Sequence, residues 1–154
     1  MKTLRYLPVF PLLIALSVSC GDSNEPDVTT VADLVGAWTA TKFEVTDPSG
    51  TVLPVPVDLV GPFVGGSLDI TISSNGSFTG TFRLPLGSNP EPVAGTISIQ
   101  GNVLTIDFTT GLDDPISGQF VLNGDVLTVT GTNLSFTYLG ETITGASVIL
   151  VMER

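Results

Sequence analysis

The chain contains few side chains that could carry out covalent chemistry. Among its 154 residues there is one cysteine and no histidine, so histidine-assisted nucleophilic catalysis and the usual zinc and copper sites lack an essential group. Asp113-Asp114 is the best remaining pair of acids, but adjacent acidic residues before Pro115 are typical of a solvated turn. We therefore expect no enzyme activity, no metal site and no cofactor, and Cys20 is the residue whose role needs an explanation.

Cys20 lies where an apolar segment ends and a polar one begins. Lys2 and Arg5 form a basic start, and residues 6–18 form an apolar run of thirteen residues. A membrane-spanning helix needs about 20 such residues, so this run is too short to cross a bilayer. The arrangement is typical of a cleaved export signal, and we assign residues 1–19 to a signal peptide.

The residues before Cys20 resemble a bacterial lipobox, in which a signal peptidase cuts before a cysteine that carries lipid. The match covers residues 16–20, with Ser17 where that group favours a large aliphatic residue. The resemblance implies that Cys20 is the first residue of the mature chain and carries acyl chains such as palmitate, which anchor it to a membrane. In the enterobacterial lipoproteins that this segment resembles, an aspartate directly after the cysteine favours inner-membrane retention. Gly21 stands at that position here, so we expect the outer membrane of a bacterial envelope. An ordinary signal cut nearby is the alternative.

The mature chain divides into a tether and a domain. Residues 20–33 begin with the lipidated cysteine and continue with polar and acidic residues that bury too little apolar surface to fold, so they predict a flexible tether. Residues 34–154 have a normal length for one domain with one core. The sequence therefore predicts a single folded domain held off the membrane by a flexible segment.

The charge of the mature chain is strongly negative. From residue 20 onward, three basic residues stand against fifteen acidic ones. Such a chain is repelled by nucleic acid and gains nothing from anionic lipid headgroups. We therefore exclude nucleic acid as a partner, and the acidity serves solubility in an otherwise apolar sequence.

The domain is patterned with a period of two, which is typical of strands with one buried face. In residues 67–73 and 77–84 apolar side chains alternate with polar ones, and Asn75-Gly76 between them is a strong hairpin signal because both residues tolerate positive φ. The same unit recurs around Gly101-Asn102 and Asn123-Gly124. Three successive hairpins predict an all-β antiparallel meander.

The two ends of this pattern bring the total to about eight strands. The first strand begins at Trp38, but Trp38 and Phe43 are an odd number of residues apart, so either a bulge lies between them or the strand buries both faces. Residues 148–152 predict the last strand, and residues 134–138 could add a short strand before it. The proline-rich residues 52–64 predict an edge strand or a long loop.

Sequential hairpins favour an up-and-down barrel over a β-sandwich, the alternative, because sandwiches need longer crossing connections. Gly36-Ala37-Trp38, followed by the meander and by Arg154 after the last strand, resembles the lipocalin-like group of the calycins. In that family a tryptophan from a Gly-x-Trp motif closes one end of the barrel, and a basic residue packs over its ring. The resemblance implies that Trp38 and Arg154 have these roles and that the barrel binds a ligand.

The predicted interior is apolar. Inward-facing positions are almost all Val, Ile, Leu and Phe, with Gly80, Gly95 and Gly118 expected to leave room. An eight-stranded barrel is just wide enough to be filled by side chains or to hold one small ligand. The fold alone therefore leaves open whether the interior is a core or a binding site.

Two functions from different classes follow from this ambiguity. In the first, the barrel binds or carries a small apolar molecule at the envelope, with these candidate ligand contacts: Trp38, Phe78, Phe82, Phe108 and Phe120. In the second, a solid barrel is an interaction or inhibitory module for another envelope protein, and its contact surface is the apolar stretch of residues 53–63. Ordinary core packing is the third explanation of the phenylalanines.

Overall fold

A computed structural model of the chain describes residues 29–83, 89–112, 114–138 and 140–154. A 3-10 helix, Val31–Leu34, precedes nine strands in these ranges: β1 Gly36–Thr46, β2 Val57–Asp58, β3 Ser67–Ile72, β4 Ser77–Arg83, β5 Glu91–Gln100, β6 Val103–Thr110, β7 Ile116–Asn123, β8 Val126–Tyr138 and β9 Glu141–Glu153. No helix in the described part of the chain is long and apolar enough to cross a bilayer.

Eight of the strands form a closed barrel. From β3 to β9 each strand pairs antiparallel with the next, β1 pairs with β3, and β1 also pairs with β9, from Thr39 opposite Glu153 to Thr46 opposite Ser147. The two-residue β2 lies beside the end of β1. The expected all-β up-and-down barrel is therefore confirmed, in place of the alternative β-sandwich.

The two ends of the barrel are built differently. Tight turns between β3 and β4, β5 and β6, and β7 and β8 lie at the end where Trp38 enters β1, which we call the Trp38 end. Gly76, Gly101 and Gly124 in these turns have φ of 82°, 61° and 60°, a region that glycine enters without steric cost. The longer connections, such as the one from β1 to β3, lie at the opposite end, which we call the loop end.

The strand β1 contains a bulge, which is one of the two explanations of its irregular pattern. Its register with β9 shifts between Ala40 and Lys42. Trp38 and Phe43 are 1% and 0% exposed, so both belong to the core although they are an odd number of residues apart. The extra residue, Thr41, changes the phase of the strand and keeps both aromatic side chains in the core.

Asp47 organises the connection that follows β1. Its carboxylate accepts hydrogen bonds from the Ser49 hydroxyl at 2.7 Å, the Ser49 N–H at 2.8 Å, the Val52 N–H at 2.9 Å and the Leu53 N–H at 3.3 Å. These donors, led by the Ser49 hydroxyl and the Val52 N–H, hold the pKa of Asp47 well below its ordinary value. The bonds fix the loop so that Leu53 is buried in the core.

We expect Asp47→Asn to destabilise the protein at neutral pH and to weaken its sensitivity to acid. Because folding lowers the pKa of Asp47, its contribution is complete above the ordinary value of 3.8 and is lost as pH falls below it. Urea unfolding at pH 7, 5 and 3, followed by Trp38 fluorescence, measures both effects. Asp69→Asn, which alters an exposed carboxylate bonded to the Thr39 hydroxyl, is the control. Equal acid sensitivity in wild type and Asp47→Asn would contradict this role.

Candidate functional site

The interior wall of the barrel is apolar. The described side chains on the inward face of the barrel strands are aliphatic or aromatic, and most are buried, including Ile70, Ile97, Ile106, Leu127 and Leu150 at 4% exposure or less. Alternation with a period of two places them there, because each strand turns every second residue inward. The wall can therefore contact only an apolar partner, whether this is the protein's own core or a ligand.

Three of the four phenylalanines predicted to contact a ligand pack against another aromatic ring. Phe78 meets Phe108 edge to face, with ring centroids 5.4 Å apart, and Phe82 meets Phe43 at 6.2 Å. Phe78 and Phe82 are 2% and 4% exposed, so they belong to the core. Phe108 and Phe120 are only partly buried against that core. These two residues are the predicted contacts that keep surface for a further molecule.

The expectation that inward glycines leave room inside the barrel is wrong. A Cβ on Gly80 would overlap the carbonyl oxygen of Asp69 on β3, and one on Gly118 would overlap that of Thr130 on β8. A Cβ on Gly95 would overlap the backbone of β6 in the same way. Glycine at these positions lets neighbouring strands approach closely where the wall bends. The space that the missing side chains leave is filled by backbone.

The Trp38 end is covered by the 3-10 helix Val31–Leu34. Trp38 is held there because its indole N–H donates a hydrogen bond of 2.7 Å to the Leu34 carbonyl oxygen, and Leu34 itself is fully buried. The helix also contacts β5, which lies across the barrel from β1. The helix therefore crosses the opening. Its residues lie on both sides of the predicted boundary between the tether, residues 20–33, and the domain, which begins at residue 34.

Arg154 joins the end of the chain to this cover. Its guanidinium carbon lies 4.9 Å from the centroid of the Trp38 ring. Its Nη1 donates to the carbonyl oxygens of Asp33 at 3.1 Å and Val35 at 3.3 Å, and its Nε lies 3.0 Å from a carboxylate oxygen of Asp125. One side chain thus connects the 3-10 helix, the tryptophan and the turn between β7 and β8.

The apolar stretch predicted as a contact surface, residues 53–63, divides into two parts at the loop end. Leu53 and Leu59 are buried in the core at 5% and 0% exposure. Val55 and Phe63 point outward, at 63% and 101% exposure. Only the second pair is available to a partner.

A groove of about 440 Å³ lies on the outer face of the wall, where β6, β7 and β8 run side by side. Val103, Ser117, Gly118, Gln119, Thr130 and Thr132 line it, and we call it the outer groove. The sequence gives no sign of the outer groove, because most of the residues that line it are ordinary polar residues at outward positions. No local signal shows where the pairing of two strands stops.

The cysteine and the acidic pair singled out in the sequence form no catalytic or metal site among the described residues. Cys20 and Asp113 lie outside the described residues, and Asp114 is partly exposed beyond β6. In the described ranges no group of three or more His, Cys, Asp or Glu side chains is placed to hold a metal ion.

Comparisons with known proteins give likeness to solved structures alone. No protein-family model matches the sequence, and no curated protein does. The possum milk whey lipocalin trichosurin, with bound 4-ethylphenol, is 14% identical at a TM-score of 0.40, over 76% of this chain and 73% of that chain. Fatty-acid-binding protein 1 of Echinococcus granulosus is 18% identical at a TM-score of 0.36, over 79% of this chain and 97% of that chain. The assignment of this chain to the closed eight-stranded barrels depends on its own strand pairing.

Proposed function

We propose that this protein is a bacterial cell-envelope lipoprotein whose barrel binds a small apolar molecule. The observation that supports binding is the closed eight-stranded wall with an apolar interior, since a barrel of this size is wide enough to hold one small ligand where side chains do not fill it. A wall lined by aliphatic and aromatic side chains favours a neutral apolar molecule over a charged one. No catalytic step is proposed.

The ligand enters at the loop end. The opposite end is covered by the helix Val31–Leu34, which Trp38 and Arg154 hold in place. Phe108 lies on the inward face of β6 near the loop end and is partly exposed, whereas Phe120 lies nearer the Trp38 end. Phe108 is therefore the contact residue to test first.

Cys20 holds the barrel on the outer membrane through its acyl chains. Two or three acyl chains give firm anchoring, since each buried methylene contributes about 0.8 kcal/mol. The chain enters the barrel through the helix Val31–Leu34 at the Trp38 end. An anchor at Cys20 would therefore turn the Trp38 end toward the membrane and leave the loop end open to the surrounding space.

Binding of a neutral fluorescent probe tests the carrier function. We expect residues 22–154, purified without detergent, to bind N-phenyl-1-naphthylamine saturably and with a rise in its fluorescence. Phe108→Asp introduces a carboxylate at the entrance and should weaken binding by about tenfold or more, because a charge resists burial in an apolar site. Val121→Asp, at a position 65% exposed on the outer face, should leave the affinity unchanged.

Three results would overturn the carrier function. The first is the absence of saturable probe binding. The second is equal binding by the Phe108→Asp variant when circular dichroism shows that the variant is folded, and the third is a high-resolution crystal structure of the same fragment with a solid interior. A void above about 300 Å³ that opens at the loop end would support a carrier.

One observation favours a second function, that of an interaction or inhibitory module. Phe63 and Val55 expose apolar side chains at the loop end, the end that faces away from the anchor. A photo-crosslinking amino acid at position 63 would join such a partner in cells, whereas one at position 121 would not. Phe63→Ser should remove the partner and leave probe binding intact, which separates this function from ligand carriage.

A further inference from the structure

The outer groove lies where the pairing between β7 and β8 ends. These strands pair from Asn123 opposite Val126 to Gln119 opposite Thr130. The pairing stops there, although β7 extends back to residue 116 and β8 continues to residue 138. Within the described ranges, β8 beyond Thr130 pairs with β9 alone. At Gly131 the β7 backbone still lies against β8, but from Leu134 to Tyr138 the edge of β8 away from β9 pairs with no strand among the described residues, and we call it the open edge.

A bulge in β8 follows the last residue pair of its ladder with β7. Its register with β9 shifts between Gly131 and Leu134, where β8 has more residues than its partner. At Gly131 the strands are so close that a Cβ would lie 2.7 Å from the Ser117 carbonyl oxygen of β7. A bulge after a close crossing turns the strand away from its neighbour, so the outer groove is a product of the wall's own geometry.

Beyond the bulge, β8 and β9 form a two-stranded arm made of residues 134–138 and 141–146. The arm pairs from Leu134 opposite Ala146 to Tyr138 opposite Glu141, and β1 ends at Thr46, before it reaches the arm. Packing holds the arm in place, because Ala146 is fully buried in the core. A fixed strand with an open edge is a template for pairing with another chain.

The lining of the outer groove is polar and uncharged. Hydroxyl and amide side chains dominate, Val103 adds an aliphatic contact, and the Thr105 and Ser117 hydroxyls bond to each other at 2.9 Å. A volume of about 440 Å³ lies in the range of small binding sites. Among the described residues, the lining contains no aromatic ring that could stack on a sugar and no apolar pocket for a helix. Recognition there depends on backbone pairing and hydroxyl contacts.

The charge of the protein favours a basic partner. Three basic residues stand against fifteen acidic ones from residue 20 onward, and Lys42 and Arg154 lie 3.1 Å and 3.0 Å from carboxylates of Glu44 and Asp125. Asp107 is exposed on β6, the strand that contributes Val103 to the outer groove. A second copy of this chain would carry the same negative charge, so electrostatic attraction favours a positively charged chain over self-association.

We propose that the outer groove and the open edge of β8 bind an extended, basic segment of another protein, which adds a strand beside β8. Main-chain hydrogen bonds to the open edge provide the affinity, and side chains that alternate along the added strand reach the outer groove. This site lies on the outside of the wall and is independent of the proposed apolar ligand inside.

Labelled peptides test the proposal on the full chain, solubilised in a non-ionic detergent. The probes are fluorescein-labelled peptides of about nine residues: one alternates threonine with lysine, one alternates threonine with glutamate, and one has prolines in place of the threonines. We expect the lysine–threonine peptide to bind saturably in fluorescence anisotropy at physiological ionic strength. The other two should bind about tenfold more weakly or worse, because glutamate is repelled and proline cannot donate to a strand.

Matched variants locate the binding. Gln119→Trp and Thr130→Trp fill the outer groove from two strands at exposed positions, and either should weaken the lysine–threonine peptide by about tenfold, as expected when an extended segment is excluded. Val121→Trp, on the same face of β7 but outside the outer groove, should not change the affinity.

Four results would overturn the proposal. Equal binding of the lysine–threonine and proline peptides would indicate charge attraction alone, and unchanged binding by both folded groove variants would place the peptide elsewhere. A dimer in sedimentation velocity that Gln119→Trp disperses would show that a second copy occupies the open edge. Competition by the neutral oligosaccharide maltopentaose would show a sugar site.

Discussion

Cys20→Ala is expected to abolish incorporation of labelled palmitate and to prevent cleavage before residue 20. The lipid is attached through the cysteine sulfur, and alanine has no such group. Cells of a bacterium with an outer membrane, grown with radiolabelled palmitate, should give a labelled wild-type protein and an unlabelled variant. Mass spectrometry of the purified wild type should place two or three acyl chains at Cys20.

Ser23→Ala, in the predicted tether, is the matched control and should keep both the label and the cleavage site. Label that persists in Cys20→Ala, or a mature wild-type protein that begins at another residue, would show that the segment is an ordinary export signal. The anchor would then be lost from the proposal, while the proposed binding of an apolar molecule inside the barrel would remain to be tested separately.

Trp38→Ala is expected to lower the free energy of unfolding by about 3–5 kcal/mol. Trp38 is 1% exposed, bonds to the Leu34 carbonyl oxygen and supports the Arg154 guanidinium. Alanine would leave a cavity at the Trp38 end and remove the support of the helix Val31–Leu34. Urea unfolding measured by far-UV circular dichroism gives the change, since the variant lacks the only tryptophan.

The control for this experiment is Val121→Ala, because Val121 is 65% exposed on the outer face. Its effect should stay within about 0.5 kcal/mol. A loss of less than about 1 kcal/mol in Trp38→Ala would mean that the helix and Arg154 close the barrel without the tryptophan, and that the cover of the Trp38 end depends on other contacts.

Much of the fold could be predicted because it depends on local patterns. Alternation with a period of two identifies the buried face of a strand, and glycine in the turns at Gly76, Gly101 and Gly124 marks the hairpins. The bulge in β1 was one of two explanations that the odd spacing of Trp38 and Phe43 allowed. The succession of hairpins favoured closure as a barrel over a sandwich.

Features that depend on distant parts of the chain could not be predicted. Leu53 and Leu59 lie in a proline-rich loop without regular alternation, yet both are buried in the core. The inward phase of Gly118 suggested free space, but its neighbour in space, the Thr130 carbonyl, lies on the next strand. The outer groove lies where the ladder between β7 and β8 stops, at Gln119 opposite Thr130. Register and bending are set by three-dimensional packing, which a single sequence does not display.

The ladder between β1 and β9 has a consequence for how the chain folds. Every other ladder between the described barrel strands joins strands that are neighbours along the chain or nearly so, whereas this ladder joins Ala40 to Met152, more than a hundred residues later. Non-local pairing slows folding, and barrels of this kind fold in about milliseconds to seconds. Until β9 has been made, β1 and β8 each have one unpaired edge, a state prone to aggregation. The cell that produces this protein therefore needs to protect an open, unfinished sheet until the last strand is in place.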